Sequence, residues 1–470
     1  MSSVGAESTP PGYTFAAKGV YWDGDGIVRQ KGRTSVNVAG TYLGGARITA
    51  AFDFQTPVGK QEIICGGGII SKIVNGTETQ LVTGRTVNAI ERGGVFMGNL
   101  ILTNGFDPVL AITVGGGVSP LTAPVSKVGI AYNNHFFVAN QPDGSNGPSV
   151  VQNSALRDFT TFDVLNAYNI ESNNADVIRA LFTLGGYLAI GKEDSISFLR
   201  GRFFDQTSAS FDAYILPPYT GGGVLCPQVV NDRYGRAFYF NEGGFWLHSS
   251  VDQPPRLLSN NIRSDIKRIN VGRADEMTIA HIPQLQEIWC NVPIGGKFET
   301  WRYVYRPDSL GKDKVGAWWF MPWTDLSAVW TTEVSLDISD PRGGSTGGKL
   351  YKMDQSWSDD GAAYETFCEF PNARGPGNMY QNWSWVLATM DNTGLDVTME
   401  CYPDDIRNDP LTLTLSPNEA DNRLTAEEEV AISGNSRCMG LKIYNNSANN
   451  PWGVRELRFV CEPDSHVDGA

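Results

Sequence analysis

Short runs rich in Ile, Val, Phe, Tyr and Trp recur throughout this sequence, each closed off by Gly, Asn, Asp or Pro, and no helical periodicity of similar strength competes with them. Residues 61–65, 99–103, 135–139, 187–190, 195–199, 237–240, 245–248, 287–290 and 300–305 share the pattern, which is that of strands punctuated by turns. Asn75-Gly76, Glu193-Asp194 and residues 241–244 (NEGG) supply hairpin connections, because Gly and Asn tolerate the positive φ of primed turns. The units are also spaced. Double glycines begin at 44, 93, 185, 243, 295 and 343, in steps of 49, 92, 58, 52 and 48, and Asn133-Asn134 stands in the one gap. A period near 50 in an all-β chain is what four-stranded propeller blades produce, since radial blades leave only short, protected sheet edges. Thirteen adjacent glycine pairs occur where chance gives roughly six, and some (66–68, 115–117, 221–223) fall off the period, so a turn-rich β protein without blades is the alternative.

The chain divides into an N-terminal segment, 1–45, expected to act as a strap or to close the propeller, a propeller over 46–374, and a C-terminal β-domain over 375–470. The last boundary is read from residues 371–378 (PNARGPGN), a linker composition. Beyond it, runs at 383–390, 395–402, 411–416, 439–444 and 455–461 suit a small β-sandwich, and residues 425–430, with acids near the start, read as a helical turn.

Composition removes several classes. Among 470 residues, 51 Asp and Glu against 37 Lys and Arg leave a net charge of −14, which argues against a surface built to grip nucleic-acid phosphates. Aromatics at 11% exclude a disordered chain, and 52 glycines exclude a long helical bundle. No apolar stretch approaches the ~20 residues of a spanning helix and no signal peptide is read at the start, so a soluble protein without a membrane anchor is expected. The seven cysteines contain no C-x-x-C pair and are expected as free thiols in a reducing compartment.

Candidate chemistry is thin. Residues 343–349 (GGSTGGK) match seven positions of a phosphate-binding loop, but Leu350 replaces the magnesium-binding hydroxyl and continues as a strand, so a hairpin tip is the better reading. Asp23-Gly24-Asp25-Gly26 lacks the spacing of a calcium loop. His135, His248, His281 and His466 are scattered, which disfavours zinc, and the first two sit in aromatic strands as core or interface residues. No G-x-S-x-G elbow occurs. Asp359-Asp360-Gly361 partly matches the aspartate box of sialidase propellers, with Trp357 and Tyr364 off pattern, and paired carboxylates of a glycosidase type are not excluded. Residues 318–323 (WWFMPW), with only Lys312 and Lys314 upstream, read as packing between blades or a buried subunit contact. No catalytic, metal-binding or cofactor-binding residue is assigned.

Taken in order, the units resemble the tail nozzle or hub proteins of short-tailed bacteriophages, also called packaged-DNA stabilisation proteins. Residues 127–140 (KVGIAYNNHFFVAN) with 155–163 (ALRDFTTFD), residues 185–199 (GGYLAIGKEDSISFL), and residues 235–247 (GRAFYFNEGGFWL) leading to 255–259 (PRLLS) and 262–269 are similar to three successive blades of that family. Residues 454–460 (VRELRFV) resemble its terminal β-domain, whereas residues 13–38 depart from its pattern. The resemblance implies a six-bladed propeller and a homohexameric ring in a virion tail, assembled in the bacterial host cytoplasm. Its implied partners are the head–tail adaptor ring, a tail needle or knob, and tail spikes or fibres. Double-stranded DNA would pass through the gated channel without tight binding, and no enzymatic activity or cofactor is implied. Six copies, at −14 each, would carry −84 charges, and an acidic lumen would let DNA slide while closure of the far end retains it. The alternative is a glycan-binding or glycan-degrading propeller of a tail appendage. A kelch-like interaction protein would need regular signatures in every blade, and these are missing.

Overall fold

The computed structural model describes residues 16–463 except 23–25, 38–39, 57–58, 143–146, 171–175, 203–211, 306–315, 336–337, 375–379, 405–408, 418–424 and 449. Seven four-stranded antiparallel sheets follow one another. Six use consecutive strands and span 50–82, 92–120, 128–169, 178–219, 230–257 and 278–320. The seventh combines Leu326–Ser335, Ile338–Ser345 and Leu350–Met353 with a fourth strand, Arg33–Ser35, from near the other end of the chain.

Strand pleating turns these sheets into a ring. Successive side chains of a strand point to opposite faces, so a blade buried on both sides needs an unbroken apolar run. His135–Ala139 (HFFVA) is such a run and is buried throughout. Its Phe136 and Val138 pack toward the second blade with Ile101 and Ala111, while Phe137 and Ala139 pack toward the fourth with Leu188 and Ile190. Each neighbouring pair of blades shares a core of this kind. The pair that closes the circle is the seventh and first, through Ala328, Trp330 and Leu350 against Ile48, Ile64 and Ile73. The protein is an all-β propeller with an appended β-sandwich.

The ring has seven blades, one more than the six implied by the family resemblance. The leading strands start at residues 50, 92, 128, 178, 230, 278 and 326, so the first two blades occupy only 42 and 36 residues before the next begins, and the later ones 48 to 52. The glycine pairs that mark the period are not equivalent. Gly185-Gly186 joins a first strand to a second and Gly295-Gly296 a second to a third, whereas Gly343-Gly344 lies inside the strand Ile338–Ser345.

Two five-stranded sheets form the sandwich. One has the order Ala16–Lys18, Thr366–Arg374, Cys438–Asn445, Val397–Pro403, Leu411–Leu415, and the other Val20–Trp22, Ile27–Arg29, Gly453–Pro463, Gln381–Asp391, Thr425–Ser436. They face each other across Cys368, Met399, Leu441, Val386, Met390 and Val454. Its strands therefore come from both chain ends rather than from 375–470 alone. The expected linker begins inside Thr366–Arg374, and the expected helical turn at 425–430 is an edge strand. A bulge between Trp383 and Trp385 shifts the alternation in Gln381–Asp391, so Trp383 points into the core and Trp385 out. The sandwich rests on the sixth blade, whose Val304 and Trp319 join its core. Beneath the contact, Arg302 pairs with Glu287, both fully buried, and stacks 3.9 Å from the Tyr21 ring.

Residues 318–323 are packing residues, as the sequence suggests. Trp318 enters the core between the fifth and sixth blades, Trp319 that of the sandwich, and Met321 and Trp323 that between the sixth and seventh blades. All seven cysteines are free thiols, five of them buried.

The strand Arg33–Ser35 is held by more than its ladder. Arg33 pairs with both carboxylate oxygens of Asp359, donates to Asp325 at 2.8 Å, and lies 4.0 Å from the centre of the Tyr351 ring. Asp360 accepts from the Ser35 N–H at 2.9 Å. Replacing Arg33 by Met removes both ion pairs and leaves two carboxylates side by side, so urea denaturation followed by tryptophan fluorescence is expected to show a loss of about 3 kcal/mol. Exposed Lys352, on the neighbouring strand, is expected to cost under about 0.5 kcal/mol as Lys352→Ala. Equal effects of the two substitutions would remove Arg33 from its place in ring closure.

Candidate functional site

A basic residue stands at or just before the leading strand of each of the first four blades: Arg47 before Ala50–Thr56, Arg92 at the start of Arg92–Phe96, Lys127 before Val128–Tyr132, and Arg179 near the start of Ile178–Leu184. All four therefore reach one end of the ring. From the other side of the ring, the segment leading into the sixth blade winds as a short 3-10 turn, Val271–Glu276.

These groups meet. Asp275 takes Lys127 Nζ at 2.5 Å on one oxygen and has Arg179 Nη1 3.6 Å from the other, while its backbone carbonyl accepts from Arg92. Glu276 accepts from Arg273 Nε at 2.6 Å and Nη2 at 2.9 Å, and pairs with Arg47. Arg47 and Arg273 share the face of Phe298, at 4.4 and 5.0 Å from its centre. A residue pair from the sixth blade bound by cations from blades one to four must lie across the axis, so residues 271–276 cap this end of the ring. The Arg273 hydrogen bonds hold the Glu276 carboxyl below its usual range. Burial pushes the Arg92 guanidinium down, against the nearby Asp275. Beside the cap a cavity of about 650 Å³ opens among Arg47, Arg92, Lys127, Arg273, Asp275 and Glu276.

A smaller groove, about 220 Å³, lies at the opposite end between the fifth and sixth blades, where Tyr234, Arg236, Arg256, Gln286, Tyr303 and Tyr305 line it. Asp232 lies there too, 2.5 Å from Arg236. His281 Nε2 lies 2.7 Å from the Tyr305 hydroxyl; burial lowers the imidazole pKa and pushes the phenol up to about 12, so both are neutral at pH 7.

The motifs singled out in the sequence are structural. Residues 343–349 span a strand end and hairpin tip between Ile338–Ser345 and Leu350–Met353. Asp359 and Asp360 clasp the closing strand through Arg33 and the Ser35 N–H. Buried His135 and His248 bond to the backbone carbonyls of Ser154 and Gln253, and burial holds both below the usual imidazole range. Asp23, Asp25, His466, Lys312 and Lys314 lie outside the described residues. Among the described residues no group of three His, Cys, Asp or Glu is placed to hold a metal, and no helix is long and apolar enough to cross a membrane. The axial cluster has a sequence signal after all: a cation at the same point of four consecutive blades, visible once the leading strands are aligned.

No family model and no curated protein matches the chain. Solved structures offer fold likeness. The chain is similar to the β-propeller domain of Cps50 (Swd1) from Myceliophteria thermophila, at 9% identity and a TM-score of 0.42, over 67% of this chain and 98% of that one. It is also similar to PorZ of the type-IX secretion system of Porphyromonas gingivalis, at 10% identity and a TM-score of 0.39, over 73% of this chain and 44% of that one, so it spans less than half of PorZ. An exo-β-1,3-galactanase from Phanerochaete chrysosporium matches at 10% identity and a TM-score of 0.28, over 92% and 100% of the two chains.

The cap carries a pH signature. A carboxyl whose folded pKa is depressed stabilises the fold above its unfolded pKa and loses that contribution as pH falls through the folded value. Glu276→Gln is therefore expected to be less stable than the parent at pH 7, with the gap closing as pH falls from its ordinary value of 4.5 downward. Thermal unfolding of both proteins between pH 7 and pH 3 measures the gap, and a gap that stays constant would rule out the ion pairs as its source.

Proposed function

We propose that this chain is a non-catalytic structural propeller that works by assembly, as a wall subunit of the nozzle or hub ring of a short phage tail. The carrying observation is the axial cap. Hydrolysis of a glycoside needs two carboxyl groups facing one sugar, with room for a water or a covalent intermediate. At the capped end the carboxylates of Asp275 and Glu276 are bound by Arg and Lys, and their work is to tie the first, third and fourth blades to the sixth. The sequence resemblance supplies the assembly; the joining of both chain ends in one sandwich on the sixth blade fits a subunit under mechanical load.

The second reading is a glycan-binding propeller, and the groove between the fifth and sixth blades favours it. Tyr rings beside Arg and Gln suit the apolar faces and hydroxyls of a sugar. Among the described residues the one carboxylate that lines this groove is Asp232, held by Arg236, which fits binding better than hydrolysis.

Native mass spectrometry and negative-stain imaging of the full chain, taken to high concentration, separate the readings. A closed sixfold ring with an axial opening is expected. A chain that stays monomeric and degrades a polysaccharide, with activity abolished by one carboxylate change, would overturn the proposal.

A further inference from the structure

We propose that the cavity beside the axial cap is a binding site for a compact oxyanion of phosphate type carrying at least two negative charges. The inference stands apart from the nozzle reading and does not need it. Charge is the first reason. Among the described residues Arg47, Arg92, Lys127 and Arg273 line the cavity and only Asp275 and Glu276 oppose them, which leaves two positive charges in excess on a protein whose total is −14.

Unmet donors are the second reason. Arg47 gives Nη1 to Glu276, and its Nε and Nη2, shielded from solvent behind the cavity wall, have no hydrogen-bond partner among the described residues. Arg92 donates to the neutral backbone carbonyl of Asp275 and, among the described residues, makes no ion pair with a carboxylate. Buried guanidinium donors call for an acceptor, and planar Arg forks match the tetrahedral oxygens of a phosphate group better than a single point charge does.

Shape is the third reason. About 650 Å³ admits a phosphate or diphosphate with some of its water, each water taking about 30 Å³, and is far too small for a duplex. An anion seated there would join the first and second blades to the cap through Arg47 and Arg92, with Lys127 adding the third. The bound state would therefore be the more rigid one.

Pyrophosphate is the probe. Calorimetric titration of the full chain, with sodium chloride at equal ionic strength as the control, is expected to show one saturable site per chain and a rise in melting temperature that chloride does not give. Arg92→Gln and Arg47→Gln are each expected to weaken binding about tenfold or more, as loss of a charge-assisted contact does, and Arg47→Lys to weaken it less. Lys352→Gln removes an exposed cation of the seventh blade that neither lines the cavity nor pairs with its acids, and is expected to leave affinity within about twofold. Circular dichroism checks that each variant is folded; should Arg92→Gln fail to fold, Arg47→Gln against Arg47→Lys decides alone. A non-saturating response equal to that of chloride, or unchanged affinity in the folded Arg47 variants, would overturn the site. Displacement of pyrophosphate by a 5′-phosphorylated oligonucleotide but not by its unphosphorylated twin assigns the phosphate to a strand end, and no displacement by either assigns it to a free oxyanion.

Discussion

Closure of the ring by Arg33–Ser35 is the constraint on which the other features of this molecule depend. Seven blades arranged radially have no end in space, but the chain that builds them has two, and the last blade has an open edge until a strand from the start of the sequence fills it. The ladder to Leu350–Met353 is short, three residue pairs, so the clasp of Arg33 on Asp359 and Asp325 does much of the fastening. Closing a loop of some three hundred residues is not prohibitive, since each doubling of length adds only about 0.6 kcal/mol. The demand it makes is kinetic: the pairing is non-local, and β topologies of this kind fold slowly. The axial cap inherits the same dependence, because Arg47, Lys127 and Arg179 converge on the sixth blade's turn only when the circle is complete.

The sandwich answers a second difficulty, that the closing strand would otherwise be a loose end. Residues 16–29 give three strands to the sandwich immediately before residues 33–35 enter the seventh blade, so the strap is anchored on one side by a core and on the other by the ring. Arg29 reinforces the turn between them: it lies 4.5 Å from the Tyr364 ring centre and donates to the Ser447 carbonyl at 2.9 Å. At the contact with the sixth blade, the buried pair of Glu287 and Arg302 costs desolvation that the pairing only partly returns. Its carboxylate also accepts from Trp289 Nε1 at 2.9 Å, and its guanidinium stacks on Tyr21, so the pair fixes where the N-terminal strand lies against the blade.

Much of this architecture was legible in the residues. HFFVA at 135–139 and AFYF at 237–240 are apolar on both faces, which places them in the middle of stacked sheets, and the spacing of the glycine pairs carries the blade period although Gly93-Gly94 and Gly343-Gly344 lie inside strands. Blade number was not legible, because the early blades are short and the seventh blade's fourth strand lies some three hundred residues from the other three. Residues 425–430 illustrate the other failure. Glu427, Glu428 and Glu429 have the local character of a helix start, yet the strand ladder to Gln381–Asp391 overrides it. The axial cluster escaped for a related reason: its cations are roughly one blade apart in sequence and look like ordinary surface charge until the ring brings them together. Asp359-Asp360-Gly361 was noticed for a glycan motif and turned out to fasten the fold.

Those three glutamates also bear on how copies of the chain can meet. Thr425–Ser436 is the longest strand of the sandwich and lies at a sheet edge, where unpaired backbone groups invite another chain. Two such edges brought together would set like charges against each other, so edge pairing between copies is disfavoured. The adjoining outer face is different. Ala431, Trp385 and Val460 stand side by side across three strands there, the last two 41% and 50% exposed, with charged Glu429 and Arg458 in the next row. The same edge of two copies pairs about a two-fold axis and closes a dimer, whereas a larger ring needs two different surfaces that meet head to tail at a rotation that closes. A sandwich that charges its longest edge and leaves an apolar row on its face resists the first kind of contact and keeps an uncharged surface clear of the edge.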